Sequence, residues 1–253
     1  MDSTQLGDRG LLGLAPLTRL QSLSLDSCHL SAKGLEGLRP FRRLRSLDLS
    51  DIEAPRFNPV ILTALTHMYS LNLFYVGVSD HDVVHLTKLK NLESLNLDSR
   101  FITDAAMPAI STMASLTKLD LFGSRLTDFG VRFLRKLNCL RHIEICGGGL
   151  TDDSAMTLSV LTELRTANLS QNVGITDRAA ELLAGLAVLE TLNLSGTSVS
   201  VNAVPALTRI TSLTSLTLYS CGLAHANAAA LKAALPRLLH IGVDMNEGDR
   251  NAR

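Results

Sequence analysis

Tryptophan is absent and tyrosine occurs only three times, so two of the side chains that most often anchor a binding surface are missing or scarce. Four cysteines in 253 residues are too few for a disulfide-stapled scaffold. Formal net charge is zero, which excludes the basic field of a general nucleic-acid binder or a polybasic membrane anchor. No apolar run approaches the ~18 residues that a membrane-spanning helix needs. The opening, MDSTQLGDRG, is polar and lacks the apolar centre of a signal peptide. Together these absences make a cytoplasmic location, or a nuclear one, the expectation. C-x-x-C and H-E-x-x-H are missing and the seven histidines are scattered, so neither metal nor cofactor is expected.

What the chain does have is a repeat. The pattern L-x-x-L-x-L begins at Leu20 (LQSLSL) and returns from Leu44, Met68, Leu92, Leu116, Leu140, Leu164, Leu189, Leu213 and Leu238. The spacing is 24 residues, lengthening to 25 between Leu164 and Leu189 and between Leu213 and Leu238. Self-similarity at such a period marks a solenoid. Each unit opens with a period-two strand: Leu92, Leu95 and Leu97 point inward, while Ser94, Asn96 and Asp98 point out. A short helical register follows, as in Val131, Leu134 and Leu137. Between the halves stands Thr-Asp, as at Thr103-Asp104, Thr127-Asp128, Thr151-Asp152 and Thr176-Asp177. The hydroxyl caps a helix start, and the carboxylate favours its positive end.

One unit cannot bury its apolar face alone, and stacking buries it on both sides. The expected fold is therefore an α/β solenoid, an arc or horseshoe, with parallel strands on the concave face and short helices on the convex face. Residues 1–245 are expected to form a single solenoid of ten strand segments with an incomplete first unit, and 246–253 a charged tail. Leu11, Leu14 and Leu17 match the helical register of a unit without its strand. That reads as a fragment, a short isoform, or a chain packed on another domain. Pro55 and Pro59 make the second unit's helical side irregular, and Gly174 is expected to absorb the extra residue in SQNVGITD.

The stretch RHIEICGGGLTDDSA (residues 141–155) raises the possibility of nucleotide chemistry. A phosphate loop needs glycines entering a helix, followed by Lys-Ser or Lys-Thr. No lysine stands near these glycines, so Gly147 and Gly148 are read as the bend after the strand. Cys146 is read as an outward, exposed residue, and a Cys-His pair with His142 as too weakly supported to make the chain an enzyme. Cys28 and Cys221 are read as turning inward beside neighbouring backbone, and Cys139 as packed.

The register aligns outward residues across strands. The middle column runs Ser24, Asp48, Asn72, Asn96, Asp120, Glu144, Asn168, Asn193, Thr217, Gly242, with three acids and no base. The next runs Asp26, Ser50, Phe74, Asp98, Phe122, Cys146, Ser170, Ser195, Tyr219, Asp244, with Tyr75 and Arg100 alongside. The preceding column supplies Lys118 and His142. Phe74 and Phe122 lie two strands apart, about 10 Å, and with Tyr75 form a candidate aromatic patch rimmed by Asp98, Asp120 and Glu144. The expected function is a protein-interaction module whose candidate contacts are Asp48, Asn72, Phe74, Tyr75, Asn96, Asp98, Lys118, Asp120, Phe122, His142, Glu144 and Tyr219. The acidic column favours a protein partner with a basic segment.

These units resemble leucine-rich repeats over residues 11–245, and in particular the cysteine-containing type of F-box proteins and of plant and green-algal relatives. FGSRLTDFGVRFLRKLNCLRHIEICGGGLTDDS and NLSQNVGITD are similar to stretches of an uncharacterised plant leucine-rich-repeat family. Cys28, Asn172 and Cys221 match positions where that type carries Asn or Cys, and the other units depart from it. The resemblance implies a protein-binding arc, and in F-box relatives a substrate receptor of a ubiquitin ligase. Residues 1–10 carry no F-box-like helical pattern. An architectural subunit of a large assembly is the other reading.

Overall fold

The computed structural model describes residues 6–52, 57–97, 100–223 and 225–244. Pro55, Asp98 and the stretch 246–253 lie outside them. The chain divides into two compact units, Met1–Ser124 and Arg125–Arg253.

In the first unit the strands are β1 (Ser22–Ser24), β2 (Ser46–Asp48), β3 (Ser70–Asn72), β4 (Ser94–Asn96) and β5 (Lys118–Asp120). All pair in parallel and in register, so Ser24, Asp48, Asn72, Asn96 and Asp120 stand side by side. On the other side of the core lie α1 (Asp8–Gly13), α2 (Asp80–Leu86), α3 (Met107–Ile110) and 3-10 turns at Gly34–Leu38, Pro59–Ala64 and Asp104–Ala106. In the second unit β6 (His142–Glu144), β7 (Thr166–Asn168), β8 (Thr191–Asn193), β9 (Ser215–Thr217) and β10 (His240–Gly242) pair the same way. Its helices are α4 (Asp128–Val131), α5 (Asp152–Leu158), α6 (Asp177–Leu183), α7 (Val204–Leu207) and α8 (His225–Ala234), with 3-10 turns at Arg132–Lys136 and Val201–Ala203. The chain is thus a repeating α/β solenoid of leucine-rich-repeat type.

Such short elements do not persist alone. They stand because the inward leucines are sealed: Leu92, Leu95, Leu97, Leu119, Leu121, Ile143 and Ile145 are all buried. Each contributes about 1.5–3 kcal/mol by leaving water. Pro59 occupies the first position of its 3-10 turn, and Asn58 accepts a hydrogen bond from Val60 N–H at 3.0 Å. The helical side of this repeat is thus a 3-10 turn, as it also is at Gly34–Leu38 in the repeat before. At the first repeat Leu11 is buried, but Leu17 is exposed and Leu14 only half-buried.

Among the described residues, the bends after eight of the strands share one feature. The second residue past the last inward side chain takes positive φ: Ser27, Asp51, Tyr75, Gly123, Gly147, Gln171, Gly196 and Ser220. Gly147, at φ +115°, fills this position, and Gly148 follows at +111°. The glycine run is a bend of the repeat. Gly149 serves a different need, because a Cβ there would lie 2.1 Å from the Leu126 carbonyl oxygen of the preceding repeat.

Two expectations need correction. Cys146 is buried: at the strand's end the backbone already turns, which tilts this residue over the next repeat, where the Ser170 hydroxyl donates to its Sγ at 3.4 Å. Cys139 is exposed, since it precedes the inward Leu140 rather than joining it. At the extra residue of SQNVGITD, Val173 is exposed, and Gly174 permits close approach to the preceding repeat, since a Cβ on it would meet the Leu150 carbonyl oxygen at 2.7 Å. Cys28 and Cys221 do turn inward, and the Cys221 thiol donates to the Leu194 carbonyl at 3.1 Å.

Candidate protein-binding site

In the first unit, the turns that follow β3, β4 and β5 form a depression of about 350 Å³ lined by Phe74, Tyr75, Arg100, Phe101 and Phe122, with Gly77 and Gly123 between the rings. Phe74 and Tyr75 touch, with ring centroids 5.2 Å apart and planes tilted by 49°. Tyr75 is 62% exposed, Phe101 53% and Phe122 41%, whereas Phe74 is half-buried. Tyr75 occupies the positive-φ position of its turn at +61°. A bulky residue held there carries local strain, and its ring is thrown outward. Gly77, at φ +80°, leaves open space beside it.

Phe101 was not among the sequence candidates, although the signal was present. It precedes the inward Ile102, at a turn position that holds His29 and Gly77 in other repeats of this unit. Only the aligned turn column, not the strand columns, exposes an aromatic there. Arg100 takes the register position that is buried as Cys28, Ile52 and Val76 elsewhere, yet it is exposed. A guanidinium does not enter an apolar core unpaired.

The Asp/Asn column has a structural task as well. Asp48, Asn72 and Asp120 each accept a hydrogen bond through Oδ1 from the backbone N–H two residues on, at Ser50, Phe74 and Phe122, at 2.9, 3.1 and 3.0 Å. These bonds start the turn that aims the rings. Both Asp and Asn can do this, which explains why the two alternate. Asn96 donates through Nδ2 to Asp120 at 3.1 Å. Lys118 is exposed on β5, one residue before the buried Leu119. The third column is less outward than expected: Ser50 is buried, its hydroxyl donating to Asp26 at 2.9 Å.

The remaining candidates belong to the second unit. His142 is half-buried with Nδ1 3.0 Å from the Thr166 hydroxyl, and Glu144 accepts from Asn168 Nδ2 at 3.4 Å. Asn168 and Asn193 repeat the turn-starting bond, to Ser170 and Ser195 N–H at 3.2 and 3.0 Å. The exposed Tyr219 lies over Gly242, where a Cβ would meet its ring at 2.8 Å. Among the described residues no group of three or more His, Cys, Asp or Glu side chains is placed to hold a metal ion. Nor is any described helix long and apolar enough to cross a membrane.

No protein-family model and no curated protein sequence matches the chain. Solved structures do match. An internalin from Listeria monocytogenes has 20% sequence identity and a TM-score of 0.68, over 93% of this chain. This chain spans 65% of that protein's length. Internalin C2 from the same organism has 24% identity and a TM-score of 0.62, over 83% of each chain. The plant peptide hormone receptor RGFR1, in complex with RGF2, has 15% identity and a TM-score of 0.54, over 93% of this chain and 45% of that one. What this chain shares with all three, at these identities, is the leucine-rich-repeat solenoid fold.

Proposed function

We propose that the protein is an interaction module that holds a protein partner at the aromatic depression of its first unit. The observation that carries this reading is the convergence of Phe74, Tyr75, Phe101 and Phe122 on one hollow, three of them well exposed. Exposed rings gathered in a hollow and rimmed by polar groups have the anatomy of an energetic hot spot. The repeat does not require them: at the Phe74 position other strands of the unit carry Asp26 and Ser50. The plant receptor of similar fold, seen with RGF2, is a precedent for such a scaffold engaging a ligand.

Asp48 and Asp120 stand in the column beside the depression, and that column holds no base. A partner segment with an aromatic or aliphatic anchor beside basic residues is complementary to that surface. The test is affinity purification of the full chain from native extract with mass spectrometry, repeated on Phe74→Ala/Phe122→Ala. A partner retained by wild type and lost by the double variant at unchanged thermal midpoint supports the site. A partner captured equally by both removes it.

A further inference from the structure

A second unpartnered surface lies on the helical side of the second unit. Phe129 of α4 and Phe133 of the following 3-10 turn pack edge to face, with centroids 6.3 Å apart and planes at 73°. The Arg132 guanidinium sits 3.7 Å above the Phe129 ring, and Lys136 Nζ lies 5.9 Å from the Phe133 ring. Phe129 is nevertheless 57% exposed. Across from it, Met156 and Val160, also exposed, complete a groove between this segment and α5. The repeat demands none of these side chains. The positions of Phe129 and Phe133 are Asp153 and Thr157 in the next repeat, then Arg178 and Leu182. Those of Met156 and Val160 are Arg132 and Lys136 in the repeat before.

The groove carries charges of both signs, with its bases on the α4 side. Arg132 and Arg135 line the α4 side, Lys136 follows them in the chain beside Phe133, and none of the three is in an ion pair among the described residues. Asp128 and Asp153 lie in the same groove. Asp128 is held by hydrogen bonds from Thr151 and Ser154. A trough with an apolar floor of Phe129, Met156 and Val160 and polar walls is the shape that accepts an amphipathic helix, apolar ridge downward.

We infer that this groove docks an amphipathic helix of a protein partner, with an apolar ridge seated on Phe129, Met156 and Val160 and acidic residues on the flank facing Arg132, Arg135 and Lys136. Aromatic and basic side chains also occur on membrane-binding faces. A concave trough meets a helix better than it meets a bilayer, and the vesicle arm of the test below separates the two. The docking site is separate from the aromatic depression of the first unit and does not depend on it.

The experiment selects displayed helical peptides against the full chain. The peptides carry a fixed leucine ridge at i, i+3, i+4 and i+7, with both flanks randomised. Wild type is expected to enrich peptides with Asp or Glu on one flank. An enriched peptide, measured by fluorescence anisotropy, is expected to bind Arg132→Glu/Arg135→Glu and Phe129→Ala at least about tenfold more weakly. Far-UV circular dichroism and the thermal midpoint check that each variant is folded, and Phe129→Ala tests the apolar floor with the charges intact. Phe74→Ala/Phe122→Ala is expected to bind the peptide as wild type does, which separates this site from the first. Failure to enrich any peptide, enrichment of neutral or basic flanks, or equal binding by the charge-reversed variant overturns the inference. So does co-sedimentation with phosphatidylserine vesicles that the charge reversal abolishes, when no acidic peptide has been selected.

Discussion

The carboxylate of Asp128 grips Thr151 one repeat away twice, accepting its backbone N–H at 3.0 Å and its hydroxyl at 2.7 Å. The same double grip joins Asp8 to Ser31, Asp80 to Thr103, Asp152 to Thr176 and Asp177 to Ser200. Of these, Thr103, Thr151, Thr176 and Ser200 also cap their own helical segments, as Thr127 does. The Thr-Asp pair thus caps one helix and ties it to the next, so that repeats are stitched along the helical side as well as through the sheet.

Asp128 sets a pH signature. Burial pushes its carboxyl up, but hydrogen bonds from Ser154 and Thr151 outweigh this and hold it below its ordinary 3.8. Asp8 is lowered as well, by the hydroxyl and N–H of Ser31 above all. A folded-state pKa that is depressed adds stability above the unfolded value and loses it as pH falls through the folded one. Asp128→Asn is therefore expected to lower stability at neutral pH by about 1–2 kcal/mol, the lower part of the range for charged hydrogen bonds because the site is partly solvated. The gap to wild type is expected to narrow as pH falls below about 4. Urea midpoints of both proteins across that range measure it, and a gap independent of pH contradicts the assignment.

How much of this was legible follows from what periodicity encodes. The inward leucines and the side-by-side order of Asp48, Asn72, Asn96 and Asp120 follow from a 24-residue repeat, because one slipped residue would turn every leucine outward. Capping by Thr103 or Thr151 is local and could also be read. The reach of Asp128 to Thr151 could not, since it depends on how far apart successive helix starts lie. Cys146 failed for a related reason: strict alternation ends where the turn begins, so the last outward position of each strand is decided by turn geometry. Phe101 was missed because its register belongs to the turn and not to the strand.

The glycine run separates two reasons for having no side chain. Gly149→Ala places a Cβ against the Leu126 carbonyl oxygen, a backbone atom that cannot swing away. Gly185 has nothing within 4 Å of such a Cβ and no positive φ. Gly185→Ala is expected to be neutral or stabilising by up to about 1 kcal/mol. Gly149→Ala is expected to destabilise by about 1–3 kcal/mol, as overpacking does. Equal denaturation midpoints for the two variants would remove the close approach as the reason for Gly149.

Asn172 fixes the unusual bend at Gly148. Its Oδ1 accepts from Gly148 N–H at 2.9 Å and from Leu150 N–H at 3.2 Å, while its Nδ2 donates to the carbonyls of Ile145 and Leu169, each at 2.9 Å. The side chain is buried, so water cannot take over these bonds without opening the turn. Leaving even two of the groups unmatched costs about 1–3 kcal/mol each. Asn172→Ala is therefore expected to destabilise by about 3 kcal/mol or more, beyond what loss of the apolar contact alone would give. Asn172→Asp keeps both acceptor bonds, loses the donor and buries a charge against the carbonyls of Ile145, Leu169 and Ser170, so it is expected to be no better. Hydrogen exchange distinguishes this from general loosening. In Asn172→Ala the Gly148 and Leu150 amides should lose protection ahead of amides in β8 and β9. If all of them speed up together, Asn172 supports the unit as a whole and not this bend.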